Sequence, residues 1–198
     1  MSALLEDIRA IYRHDPACRN VEFLLYPSLH VITVHRYVIH PLYRIGIWFL
    51  PRLFSQVMRF FTGIEIHPGA KIGPGFFCDH GSGVVIGETV EMGCNCTLFH
   101  GVTLGGTGKE KKKRHPTIGD HVYIGHGATI LGPVTIGSNS KIGAQTVIVN
   151  RDVPEECTVI DSPPRIVKMR GKKVDLPLPV AGYRQLEQER EKKAEQTA

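Results

Sequence analysis

The sequence is poor in cysteine, and the five it has (Cys18, Cys78, Cys94, Cys96 and Cys157) form an odd, scattered set with no Cys-x-x-Cys pair. That spacing excludes a disulfide framework and fits a reducing, cytoplasmic setting. Cys94 and Cys96 lack a second pair, so they read as strand packing and not as a zinc site. A long uncharged apolar run is missing as well. The stretch from Leu29 to Phe61 comes nearest, but Arg36, Arg44, Arg52, Arg59, Pro41 and Pro51 interrupt it. It never reaches the ~20 residues of a membrane-crossing helix and reads as amphipathic helices packed on protein. No signal peptide opens the chain, because residues 1–15 mix acids and bases throughout. The net charge of +5 is mild and concentrated in residues 109–114, which suits an anionic small ligand better than nucleic acid.

What the sequence does have is a ruler. Isoleucine stands at 118, 124, 130, 136, 142 and 148, every sixth residue, with Gly119, Gly125, Gly137 and Gly143 directly behind. Small or β-branched residues sit two places ahead, at Val122, Ala128, Val134, Ser140 and Thr146. A period of six matches neither a helix nor a lone strand. It is the mark of a hexapeptide β-solenoid, in which each hexad is a short strand plus a turn and stacked hexads share one core. The glycine behind each Ile is expected at a corner that requires positive φ. Backwards, Ile86, Met92, Leu98 and Leu104 continue the series, and Ile66 and Ile72 form an earlier pair. Two breaks interrupt it. From Leu104 to Ile118 is fourteen residues, two more than two hexads, and the excess falls in the apolar-free stretch 106–115. Ile72 to Ile86 is also fourteen, with the irregularity around Asp79-His80-Gly81-Ser82-Gly83. Insertions in solenoids often carry the binding face, and both of these contain histidine.

Ahead of the solenoid the pattern is helical. Residues 3–13 place Leu4, Leu5, Ile8, Ile11 and Tyr12 on one face, and Asp15-Pro16 ends that helix. Further helices are expected over 28–40, 41–50 and 51–61, the last two with proline in the first turn. The organisation is α+β: helical residues 1–62, a solenoid over 63–165 with a loop at 106–115, and an extended or disordered tail over 166–198.

Several strings are more specific than the hexads: Ile64-Glu65-Ile66-His67-Pro68, Cys78-Asp79-His80, Val85-Ile86-Gly87-Glu88-Thr89, Gly101-Val102-Thr103-Leu104-Gly105-Gly106-Thr107-Gly108, Arg114-His115-Pro116 and Lys141-Ile142-Gly143-Ala144. Together they resemble the serine O-acetyltransferases, over roughly residues 5–168. The resemblance implies a left-handed parallel β-helix with three hexads per coil, assembled as homotrimers with active sites between subunits. It implies acetyl-CoA and L-serine as substrates, with no resident cofactor or metal. Longer members carry helices before residue 1 that pair trimers into a dimer of trimers. Some members end in isoleucine, which enters cysteine synthase; this sequence ends Gln196-Thr197-Ala198.

Residue chemistry agrees with that reading. His80 is the candidate general base, since an imidazole with an ordinary pKa of about 6.5 can take a proton from a serine hydroxyl near neutral pH. Glu65, fifteen residues earlier, is the candidate carboxylate to orient it, as in a hydrolase triad. Asp79, Arg114 and His115 resemble the family's serine-binding set: Arg and His for the carboxylate, Asp79 for the ammonium, with Asp15 as a second acid. Gly105, Gly106 and Thr107 offer backbone amides to acetyl-CoA, and Lys109, Lys111, Lys112 and Lys113 attract its phosphates. Gly125, Ala128, Lys141 and Ala144 lie where the pantetheine arm would run. Two rivals share the solenoid. One is an O-acetyltransferase for a sugar or antibiotic, which would have no use for Asp79, Arg114 and His115. The other is a zinc enzyme of the gamma-class carbonic anhydrase kind, using His121 and His126 with His80 or His100 as third ligand.

Overall fold

The computed structural model describes residues 2–108, 112–161 and 164–179. Helix α1 (Ala3–His14) starts at Ser2, whose hydroxyl accepts the Leu5 amide. It stops at Asp15, ahead of Pro16. A short 3-10 turn over Asn20–Leu25, not anticipated from sequence, leads into α2 (Pro27–Val34). The break expected at Pro41 is absent. A π-helical segment, His35–Ile39, carries α2 directly into α3 (His40–Arg44), with the His40 amide bonded to the His35 carbonyl. The wider turn absorbs the proline inside one helical run. Helix α4 (Phe49–Thr62) ends on Gly63 at φ 72°, a left-handed cap that only glycine adopts freely.

From Ile64 the chain winds into three parallel sheets. The first stacks Ile64–Ile66, Val84–Ile86, Thr103–Gly105, Thr129–Leu131 and Val147–Val149. The second stacks Lys71–Ile72, Glu91–Met92, Thr117–Ile118 and Thr135–Ile136. The third runs through Phe77–Asp79, Thr97–Phe99, Tyr123–Ile124, Lys141–Ile142 and Cys157–Ile160. The ruler residues fill the shaft: Ile66, Ile86, Leu104, Ile130 and Ile148 stack in register on the first sheet, all buried. Each contributes about 1.5–3 kcal/mol of apolar burial.

Three expectations change. The ruler glycines behind the core residues do not use positive φ; Gly93, Gly119, Gly125 and Gly137 all lie outside that region. They are glycine because the next coil leaves no room. A methyl on Gly119 would lie 2.6 Å from the Ser138 amide, and one on Gly125 2.7 Å from the Ala144 amide. The loop is also larger than expected. Leu104 and Ile118 lie on successive strands, so the fourteen residues between them exceed one hexad by eight. The segment after 164, expected as an extended or disordered tail, forms an antiparallel hairpin, Arg165–Met169 with Lys172–Pro177, that extends the third sheet. Residues 180–198 lie outside the described residues.

One buried ion pair is among the links that fasten the helices to the solenoid. Asp7 of α1 is bonded to Arg36 and accepts amides from Gly75 (2.8 Å) and Phe76 (3.1 Å), while Arg36 donates to the Gly73 carbonyl at 2.8 Å. This anchor ties α1 to the Gly73–Phe76 turn that leads into the strand carrying Asp79.

Candidate active site

Most of the predicted site residues fall on two corners of the solenoid, separated by the first sheet. The corner between the third and first sheets holds Asp79, at the end of its strand, and His80 in a left-handed turn at φ 60°. The His80 side chain is 74% exposed, and its Nε2 lies 3.7 Å from Asp79 Oδ1. Asp15 joins them from α1. It accepts the Tyr26 hydroxyl and, at 2.8 Å, the Ala17 amide. Those two bonds, with the charge of nearby His80 adding to them, hold the Asp15 carboxyl below its ordinary value. Tyr26 answers in kind: burial and the bond to Asp15 push its hydroxyl well above the phenol range. The Tyr26 ring lies over Phe77, and His14 stacks on the same ring at 6.0 Å.

Sequence reasoning missed Tyr26, and it missed what rises above His80. His100 meets the His80 ring edge-on at 6.1 Å, and His126 stacks on His100 at 5.2 Å. The signal was present: a His-Gly pair recurs at 80, 100 and 126, at the same corner of successive coils. Gly125 and Ala144 follow the strands that lead into this corner, and Lys141 sits on the outside of the third sheet. Ala128 departs from its predicted role. Its side chain is fully buried in the core, its amide bonds to the Gly125 carbonyl and its carbonyl accepts Thr103. Its side chain is turned into the core, because the position two before each ruler Ile points inward.

The corner between the first and second sheets holds the cations. Arg114 Nη2 donates to Glu88 Oε2 at 2.5 Å, and the Tyr43 hydroxyl donates to Glu88 Oε1 at 2.9 Å. Burial alone would raise the Glu88 carboxyl, but these bonds outweigh it and the group stays below its ordinary value. His115, 8% exposed, bonds to Thr89. Burial, with Arg114 beside it, lowers its pKa. Gly105 closes the adjacent first-sheet strand, and Gly106 packs against Arg114, with Thr107 next in the loop. Lys113 Nζ is spent on the Thr89 carbonyl at 2.5 Å, and Lys112 is exposed. Lys109 and Lys111 lie outside the described residues.

Within one chain Glu65 does not reach His80, the contact expected of it. It stands on the outer face of the first sheet, bonded to Arg52 at 3.0 Å, Arg59 at 2.8 Å and Gln56 at 3.3 Å. These three donors share one side of α4, whose register across the first strand was invisible in the spacing. The carboxylates facing His80 among the described residues are Asp79 and Asp15. The zinc arrangement is not formed within one chain either. His121 precedes the strand Tyr123–Ile124 and His126 follows it, which puts them on different corners. No group of three or more His, Cys, Asp or Glu among the described residues could hold a metal ion. Nor is any described helix long and apolar enough to cross a membrane.

A parallel solenoid of six-residue hexads, with an exposed histidine at one corner, defines a transferase of the hexapeptide class. Residues 115–150 accordingly match the family described as bacterial transferase hexapeptide (six repeats). The chain is 55% identical over 196 residues to the serine acetyltransferase of Bacillus subtilis strain 168, covering 94% of this chain and 89% of that one. The serine acetyltransferase of Synechococcus elongatus is 50% identical over 174 residues, covering 87% and 70%. A crystal structure of the Neisseria gonorrhoeae serine acetyltransferase superimposes with a TM-score of 0.80 at 43% identity, covering 87% of this chain and 66% of that one. The same enzyme in complex with serine gives 0.79 at 43% identity, covering 84% and 68%. The chain belongs to the serine acetyltransferases, enzymes that use acetyl-CoA as co-substrate.

Proposed function

We propose that this enzyme acetylates the hydroxyl of L-serine from acetyl-CoA in a cleft between two copies of the chain, within a homotrimer, with His80 as general base. One observation carries the reading. The two halves of the candidate site sit on opposite edges of the first sheet, and the outward row between them is uncharged. Above Glu65, that row is Val85, Thr103, Thr129 and Val147, each in register with the next. An uncharged face flanked by complementary half-sites suits a subunit contact. Placed edge to edge, copies would bring His80, Asp79 and Asp15 against Arg114 and His115 of the partner subunit.

The chemistry follows from these groups. Arg114 and His115 grip the serine carboxylate, and Asp79 and Asp15 take its ammonium. The serine hydroxyl then faces His80, whose side chain is exposed for the encounter. His80 removes the hydroxyl proton as the oxygen bonds to the thioester carbonyl carbon. The imidazolium formed is stabilised by Asp79. Backbone donors face the tetrahedral oxyanion, and its collapse breaks the carbon–sulfur bond. The thiolate of CoA takes the proton back from His80, giving O-acetyl-L-serine and CoA. Acetyl-CoA runs up the corner past Gly125 and Ala144, with Gly105, Gly106, Thr107 of the partner subunit opposite. The enzyme works in the cytoplasm, where its five unpaired cysteines stay reduced.

The test is CoA release from acetyl-CoA with L-serine, against a sugar panel and water, with and without chelator. Release that requires serine and ignores chelator supports the reading. Release with a sugar and not serine removes the roles given to Asp79, Arg114 and His115.

A further inference from the structure

The Val-Ile-Gly-Glu-Thr string ends in a turn whose last residue has all of its polar groups engaged by Lys113-Arg114-His115. The Thr89 carbonyl accepts Lys113 Nζ at 2.5 Å. The Thr89 hydroxyl oxygen accepts two amides, from Arg114 at 3.1 Å and from His115 at 3.1 Å. The same hydroxyl lies 2.9 Å from His115 Nδ1, and the Thr89 amide donates to that nitrogen at 3.2 Å. A hydroxyl has one proton and two acceptor lone pairs. Both lone pairs are occupied by amides, so the proton must go to His115 Nδ1, and Nδ1 must be the acceptor. The imidazole proton therefore resides on Nε2.

We propose that Thr89 is a positioning residue that fixes His115 as the neutral Nε2–H tautomer, so that the serine carboxylate meets one permanently placed N–H donor beside Arg114. This rests on the serine-binding role given to His115 above. Protonating Nδ1 would set an N–H against two other donors, so the imidazolium is excluded by the hydrogen bonding itself. The charges around the ring act in the same direction: Arg114 and Lys113 oppose a further positive charge, and only Glu88 favours one. His67, the other imidazole near this corner, is itself held below its ordinary value by burial. Gly87 completes the seat, since a methyl there would land on the His115 ring. Among the described residues nothing accepts from Nε2, which leaves that proton for a ligand. With Nε2 protonated and Nδ1 occupied, His115 cannot accept a proton, so it does not compete with His80 as base.

The tautomer is read by long-range 15N–1H correlation spectra of histidine-labelled protein, with His115 assigned by its loss in His115→Gln. The expected signature is a bare Nδ1 and a protonated Nε2 that persist one pH unit either side of the ordinary imidazole value of about 6.5. A proton on Nδ1, or a titration near that value, overturns the proposal without use of substrate. In kinetics, Thr89→Val should raise KM for serine roughly tenfold, the weight of one charge-assisted hydrogen bond, with kcat and KM for acetyl-CoA nearly unchanged. Thr89→Ser should restore it. Equal losses for both substrates with no rescue by serine at 89 would mean a merely structural residue and would overturn the role. Adding L-serine should move the Nε2 resonance. If the tautomer is as described and serine leaves Nε2 unmoved, the serine-binding assignment of His115 fails while the lock stands.

Discussion

Replacing Gly119 and Gly143 by alanine, one at a time, separates two explanations of the ruler glycines. Neither residue has positive φ, so alanine meets no backbone penalty at either site. By narrowing the unfolded ensemble, the change should stabilise each by about 0.4–1 kcal/mol if nothing else intervened. At Gly119 something does. The new methyl would lie 2.6 Å from the Ser138 amide nitrogen and 2.9 Å from its Cα, both backbone of the next coil. Opening that gap to ordinary contact means shifting a coil that is bonded above and below, an overpacking cost of about 1–3 kcal/mol. At Gly143 the nearest atom is the Ile160 Cγ2 methyl at 3.0 Å, followed by the Val159 carbonyl oxygen at 3.3 Å. The end of an exposed side chain, as Ile160 is, can give by a few tenths of an ångström. The expectation is a net loss of about 1–2 kcal/mol for Gly119→Ala and a change between zero and about +1 kcal/mol for Gly143→Ala. Urea midpoints at one fixed protein concentration, with unchanged m-values, report this directly. Equal losses at both sites, or stabilisation by Gly119→Ala, would refute the close-stacking argument.

Other perturbations have equally definite outcomes. His80→Ala should lower kcat by about 10²–10⁴ and leave the circular dichroism spectrum unchanged, because the removed side chain is mostly exposed. Glu65→Gln should leave kcat within a few-fold and cost at most about 1 kcal/mol, since its arginine partners are about half exposed; a loss in kcat comparable to that of His80→Ala would return Glu65 to the catalytic pair. Arg36→Ala should cost about 3–5 kcal/mol in urea unfolding, because it strands Asp7 in the interior. His35, buried with Nε2 on the Ala70 carbonyl, is lowered to about 4 by burial. The unfolded chain thus binds the extra proton first, so stability is full above about pH 6.5 and falls by up to about 3 kcal/mol as pH drops toward 4. A urea midpoint that stays flat across that window would contradict the assignment.

The solenoid was legible because its core positions recur at a fixed period, and Ile66 through Ile148 stand where the ruler places them. What the ruler could not convey was the reason for its glycines, which depends on the spacing between coils and not on local φ. Loop size was misjudged because hexads in sequence do not announce which strands are consecutive. The helical part was readable at the Asp15-Pro16 stop of its first helix. It was misread at Pro41, where tertiary packing supports a π-turn that propensity does not foresee. At the site, Asp79 and His80 were legible from their place in a glycine-rich break. The partners of Glu65 were not, because they depend on the register of α4 across a strand. Thr89 and Glu88 stood in a quoted string without a role, since what they hold lies twenty-six residues away in sequence.

The claim that the site is shared between subunits is tested most directly by mixing two inactive variants. His80→Ala retains Arg114, and Arg114→Ala retains His80. Co-expressed in equal amounts, they assemble at random, so about a quarter of the subunit boundaries carry an intact pair. The account predicts serine acetylation at about a quarter of the wild-type rate from the mixture, far above either variant alone. Activity no greater than the mean of the two variants would contradict it and place both halves of the site within a single chain.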